Sequence, residues 1–268
     1  MTDSVFEMAE SVLLSEDTDS KVEISLEAGE RFKLDALRLD SENIPVDIGQ
    51  VKMPPSPMLV DPRHLPKRKL TSKEGRIALL HSVAHIEFSA IQLAWDHLYR
   101  FRGMPEAYYW DWLGVAVEEA RHFAMIRERL RQLDADYGDL PAHGGLWSLA
   151  CETAYDVMAR MALVPRFMEA RGLDVTPGIM ERLAAVGDDE SVACLRVILE
   201  DEVGHVALGS RWFLWLADQR SLDAENTYFD LLDRHMEGQA RGPFNDELRR
   251  KAGFSEGELT RLQGRVSQ

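Results

Sequence analysis

The feature that most constrains this chain is a Glu-x-x-His motif that occurs twice, each time inside a long run with the apolar spacing of a helix. Glu202 and His205 lie between Val192 and Leu216, where Leu195, Ile198, Leu199, Val206, Trp212 and Phe213 recur at helical intervals. Residues three apart on a helix share a face, so the carboxylate and the imidazole stand side by side among apolar neighbours. Burying a charge there is costly unless it is paired or bound to a metal. Glu119 and His122 repeat the arrangement on a face with Trp112, Val115, Ala116, Ile126 and Leu130. With 24 Glu and 8 His in 268 positions, chance supplies roughly 0.7 such pairs. Two are found, both in apolar helical settings.

The helices around the motifs follow from caps and breakers. Thr71 or Ser72 caps a helix that runs to about Arg102, where Gly103 ends it and Pro105 starts the next. On its stripe of Leu80, Val83, Ala84, Ala90, Ile91 and Ala94, Glu87 is the one charge. The second helix spans about 105–134, and a loop rich in turn residues follows over 137–145. The spacing predicts a third helix over 146–171 that aligns Cys151, Ala154, Tyr155, Met158, Ala162 and Glu169. Pro165 predicts a kink one turn before Glu169, and Gly172 a stop. Pro177 starts a short helix within 174–187, and Asp188 or Asp189 caps the fourth long helix, 188–217. The tail, 221–268, reads as one or two amphipathic helices broken at Gly242-Pro243.

The first seventy residues differ in character. A short helix fits Val5–Leu14, whereas 21–39 fits a helix or a hairpin equally well. Pro45, Pro54, Pro55, Pro57, Pro62 and Pro66 exclude regular structure over 45–66. The expected organisation is an all-α chain with three parts: an irregular N-terminal arm (1–70), a metal-binding four-helix bundle (71–218) and a C-terminal helical extension (219–268).

Each half of that bundle is a helical hairpin with one lone Glu and one Glu-x-x-His. Glu87 precedes Glu119 by 32 residues, and Glu169 precedes Glu202 by 33. Glu87, Glu119, His122, Glu169, Glu202 and His205 form the ligand complement of a dinuclear carboxylate bundle. Four carboxylates and two imidazoles suit iron or manganese better than structural zinc. Each ligand histidine needs an outer partner for its second ring nitrogen, for which Asp201, Asp111 and Asp156 are candidates. His81 and His85, four apart on the first helix, read as core or outer-sphere histidines. His143 is a loop histidine that could contact substrate, and Arg160, in an apolar segment, needs an acidic partner. Trp95, Trp110, Trp112, Tyr108, Tyr109 and Tyr155 read as packing.

Composition narrows the function classes. A formal charge of −15 argues against a non-specific nucleic-acid binder, and the one compact basic cluster is Arg63, His64, Lys67, Arg68 and Lys69. No uninterrupted apolar run reaches the roughly 18 residues of a membrane span. The acidic N-terminus is no signal peptide. Cys151 and Cys194 read as buried free thiols, consistent with a reducing cytoplasm.

With these residues in hand, the chain resembles the ferritin-like superfamily of di-iron carboxylate proteins. Within it, the chain is similar to an uncharacterised bacterial family catalogued as domain-of-unknown-function 455. The stretches that carry the resemblance run from Gly75-Arg76-Ile77-Ala78 through Ala84-His85-Ile86-Glu87, then Glu118-Glu119-Ala120-Arg121-His122-Phe123 and Tyr137-Gly138-Asp139 through His143-Gly144-Gly145-Leu146-Trp147. They continue with Glu169-Ala170-Arg171-Gly172 through Pro177, and Asp201-Glu202-Val203-Gly204-His205-Val206. The resemblance implies a ferritin-like bundle and the six ligands above for two iron ions, with manganese or a mixed iron–manganese pair as alternatives. It supplies no substrate, since such folds host many reactions. The favoured expectation is an oxidoreductase that uses O2 to oxidise or hydroxylate an unidentified small molecule, served by an electron-donor protein. The alternative is an iron-handling, storage or peroxide-detoxifying protein with no organic substrate. A homodimer formed through helix faces is compatible with either.

Overall fold

The computed structural model describes residues 3–40, 43–65, 69–236 and 242–266. Among them every regular element is helical, and extended pairing is limited to two isolated bridges, Ser4 with Arg38 and Leu59 with Ala142. The chain is all-α. It divides into two compact units, Met1–Cys151 and Glu152–Gln268. The division falls inside the 71–218 stretch, so the first unit takes in the N-terminal arm and the second takes in the tail.

The first unit is built on a hairpin of α3 (Lys73–Arg100) and α4 (Glu106–Gln132). Ser72 caps α3 by accepting the Gly75 N–H, and Gly103, at φ +82°, makes the turn that lets Pro105 open α4. Leu80, Ala84, Phe88, Ile91, Trp95 and Leu98 of α3 are buried, as are Trp112, Ala116, Phe123, Ile126 and Leu130 of α4. Each large side chain removed from water in this way contributes about 1.5–3 kcal/mol. By length and composition α3 is apolar enough to cross a membrane, with a mean hydropathy of 1.3 over its best window. Glu87, His81, His85 and Gln92 interrupt the apolar residues of this stretch. However, 67% of the window is buried within the protein, as befits a core helix.

The arm is more ordered than its prolines suggest. α1 (Val5–Leu14) packs on α3 and α2 (Thr18–Lys33) on α4, which settles 21–39 as largely helical. Trp95 Nε1 donates to Ser25 Oγ (2.8 Å), and the Tyr99 hydroxyl donates to Glu10 (3.2 Å). Lys21 is fully buried, with its Nζ donating to the carbonyls of Val12 (2.5 Å) and Lys52 (3.1 Å). Among its described residues the proline-rich stretch holds only single helical turns, at Ile48–Gln50 and Pro62–His64. Pro66, Lys67 and Arg68 of that stretch and its basic cluster lie outside the described residues.

The second unit corrects the sequence in its first half. The expected third helix over 146–171 is interrupted: α5 (Gly145–Glu152), which straddles the division, ends before Asp156 caps a new start by accepting the Met158 N–H. α6 (Val157–Leu163) then passes into a π-helical segment, Val164–Glu169, and on into α7 (Ala170–Ala184). Cys151 and Tyr155 are exposed, so they do not share a buried stripe with Glu169. Cys194 is half-buried; neither thiol is the buried one expected. Pro165 has no N–H to give, and the wide π turn absorbs the missing bond where a kink was predicted. Gly172 does not stop the helix, and Pro177 lies inside α7 rather than at a start. Gly172 abuts the next long helix, where a Cβ would stand in ordinary contact, 3.8 Å from Glu202 Cγ.

α8 (Asp189–Gln219) is the long fourth helix, capped by Asp188 through the Ser191 N–H. Gly209 lets it approach the π segment, since a Cβ there would sit 2.5 Å from the Pro165 ring. Among the described residues the tail holds three helices where one or two were expected, α9 (Ala224–His235), α10 (Asp246–Lys251) and α11 (Glu256–Val266). It supplies half of an unusual core. Fully buried Arg166 pairs with Glu258 (2.8 Å) and lies over the rings of Phe213, Tyr228 and Phe254. Buried Arg249 pairs with Asp174 through two nitrogens (2.9 and 2.7 Å).

Candidate metal centre

In the first unit the straight α3–α4 hairpin brings Glu87, Glu119 and His122 together. All three are buried, and one ligand atom from each lies within 4.8 Å of the others. His122 Nδ1 is 3.2 Å from Glu87 Oε2 and 3.5 Å from Glu119 Oε2. That Glu87 oxygen is buried away from solvent. Burial, reinforced by the charge of Glu119, lifts Glu87 to about 8. Burial alone would lower His122, but the hydrogen bonds and charges of Glu119 and Glu87 outweigh it and raise the imidazole to about 11. Without a cation, the Glu87 carboxyl holds a proton it would shed in water. A divalent metal satisfies the same oxygens and nitrogen without protons, so the donor set fits one.

In the second unit α8 presents Glu202 and His205 with His205 Nδ1 3.4 Å from Glu202 Oε2, close to the 3.5 Å of the first pair. His205 is buried and Glu202 is nearly so, with 13% of its side chain accessible. Glu169, half-buried, is the last residue of the π segment. Gly172 is one turn further along the same face and abuts Glu202. Glu118 is half-buried and Glu200 is exposed.

The outer residues fare differently. Asp156 is occupied as the cap of α6 and as the partner of Arg220, with two contacts at 2.6 and 2.8 Å. Arg160 is fully buried and donates to Thr153 Oγ1 (2.8 Å). Asp201 is half-buried beside Glu202. His85 is buried on α3, and its Nδ1 is 2.9 Å from the Tyr137 hydroxyl. Burial, then the charges of His143 and His81, depress His85 to about 4. Half-buried His143 accepts the Gly145 N–H at Nδ1.

Tyr137 is the residue that sequence reasoning passed over. Its ring is wedged among His81, His85, Phe88 and Phe123, the last two being the chain neighbours of Glu87 and His122. Burial raises its phenol well above the ordinary value. A tyrosine in an aperiodic, glycine-flanked loop gives no spacing signal. The two histidines at i and i+4 on α3 were the one hint that something must sit on them.

The sequence profile of a family described as "Protein of unknown function (DUF455)" matches residues 14–260. A protein of Haemophilus influenzae, described as an uncharacterized protein, is 45% identical over 213 residues, covering 77% of this chain and 74% of its own. No solved structure matches the chain.

Proposed function

The chain belongs to this DUF455 family, and we propose that it is a dinuclear iron protein of ferritin-like build that uses O2 to oxidise or hydroxylate a small organic molecule. The observation that carries the reading is the Glu87–Glu119–His122 cluster, three buried ligand groups within 4.8 Å beside the aromatic rings of Phe88 and Phe123. The Glu202–His205 pair supports it by repeating the same local geometry. The sequence echo of the two hairpins supports treating both sets, with Glu169, as ligands of one pair of ions. An iron pair supplies electron exchange with O2, and manganese or a mixed pair fits the same donors. The chain's own part is to hold neutral imidazoles and ionised carboxylates in place, while Phe88 and Phe123 keep water from the α3–α4 face. An electron-donor protein as partner, a cytoplasmic location and a homodimer belong to the same proposal. Iron handling or peroxide removal without an organic substrate is the competing use of such a site.

Elemental analysis after anaerobic ferrous loading tests the proposal. Two irons per chain are expected, with most metal lost in Glu119→Ala and in Glu202→Ala, and full retention in His143→Ala. Metal retained in both glutamate variants sinks the ligand assignment. Given bound iron, O2 uptake that small-molecule candidates accelerate favours the oxidoreductase. Accumulation of many irons per chain favours storage.

A further inference from the structure

One cluster in the first unit has no part in the metal reading. His81 is 1% exposed, and its Nε2 accepts two backbone N–H groups from the loop, those of Gly138 (3.0 Å) and Leu140 (3.4 Å). An imidazole nitrogen that accepts carries no proton, so the ring is neutral with its proton on Nδ1. Tyr137 stacks on the same ring at 5.5 Å and plugs the space between Phe88 and Phe123. On its other side the loop is held by the arm. Ser56 Oγ donates to the Gly138 carbonyl (3.1 Å), Ala142 N–H to Met58 (3.0 Å), and Val60 N–H to Ala142 (2.8 Å). None of these arm contacts titrates.

We propose that neutral His81 is a latch holding segment 137–143 closed over the α3–α4 face, and that acid releases it. Protonation would turn the shared acceptor into a third N–H facing two N–H donors, and both loop bonds would fail together. The charged groups around the ring pull in opposite senses. Asp139 on the loop favours the proton; His85, one turn along α3 with His143 beyond it, disfavours it. Burial also disfavours it and keeps the ring's proton affinity below the ordinary histidine range. The latch therefore holds at neutral pH and yields only in distinctly acid conditions. When it yields, Tyr137 leaves the aromatic wedge beside Glu87 and His122, which opens that face to solvent or to a small molecule. The inference rests on the loop geometry alone and stands whether or not the cluster binds iron.

The test is amide hydrogen exchange at Gly138 and Leu140 in the full chain, each rate divided by its intrinsic rate, at about pH 7.5 and about pH 5, either side of the ordinary imidazole range. Wild type is expected to lose about tenfold or more in protection at the acid pH. His81→Gln is expected to keep its protection, because the amide oxygen still accepts and does not titrate. His81→Ala should leave both amides unprotected throughout. The midpoint of the wild-type loss should match the titration of the His81 ring followed by its own proton resonances. Protection that is unchanged by pH overturns the latch. So does a midpoint that departs from the His81 titration, which assigns the release to Asp139, His85 or His143.

Discussion

The two units carry their Glu-x-x-His pairs alike, on unbroken α4 and α8, but hold the lone glutamate of each half in different ways. In the first, α3 and α4 are unbroken, and the carboxylates and His122 are set by apolar and aromatic packing. In the second, the helix that carries Glu169 is broken, widened into a π segment and braced by charge. Arg166, three residues before Glu169, is gripped by Glu258, and Asp174, five residues after it, by Arg249. Glu169 thus stands on a short span pinned at both sides by the tail. The lesson is that a glutamate turned inward can rest on an apolar scaffold or on a span braced by buried ion pairs, and the two should fail differently.

The widest separation between the units should come from Glu258→Ala. It leaves the Arg166 guanidinium buried and unpaired, which costs about 3–5 kcal/mol, read as a lower denaturation midpoint for the second unit. Lys73→Ala, which removes the exposed partner of Asp134 in the first, should leave its midpoint unchanged. A small response to Glu258→Ala would mean that the aromatic rings alone carry Arg166.

Next comes one substitution with opposite signs. Gly209→Ala drives a Cβ to 2.5 Å from the Pro165 ring, and such overpacking costs about 1–3 kcal/mol. Gly114→Ala, in α4 with nothing within 4 Å of the new methyl, should stabilise by about 0.5–1 kcal/mol. Equal effects in urea denaturation would erase the contrast.

The smallest effect is a slope. Burial lowers Lys21 to about 7 from an ordinary 10.5. Between those values the unfolded chain holds the proton and the folded one does not, so this group makes stability rise with pH. The ceiling is about 1.4 kcal/mol per pH unit. The carbonyls stranded in Lys21→Met shift stability by an amount independent of pH. The wild-type advantage over the variant should therefore grow between about pH 7 and pH 10; a flat difference would mean that the buried amine stays charged.

Much of this was legible in the sequence. Ser72 and Asp188 announced α3 and α8 as caps, Gly103 and Pro105 the turn between α3 and α4, and the lone Glu87 on an apolar stripe its burial. Those signals are local, and the packing agrees with them. What stayed hidden was non-local. Gly172 read as a stop and Pro177 as a start, yet both lie inside α7, which packs along α8. Arg166 and Arg249 look like surface residues until their acids arrive from 92 and 75 positions away. Asp156 looked like a ligand's partner because composition cannot say that Arg220 has claimed it.

The long reach from Arg166 to Glu258 bears on how the protein is made. At a translation rate of about 5–20 residues per second, those 92 residues separate the two partners by several seconds. Throughout that interval the first unit has all the sequence it needs to fold, while the second carries an arginine-bearing helix that cannot close. The nascent chain therefore emerges half finished, with the open π segment as the surface that chaperones would meet.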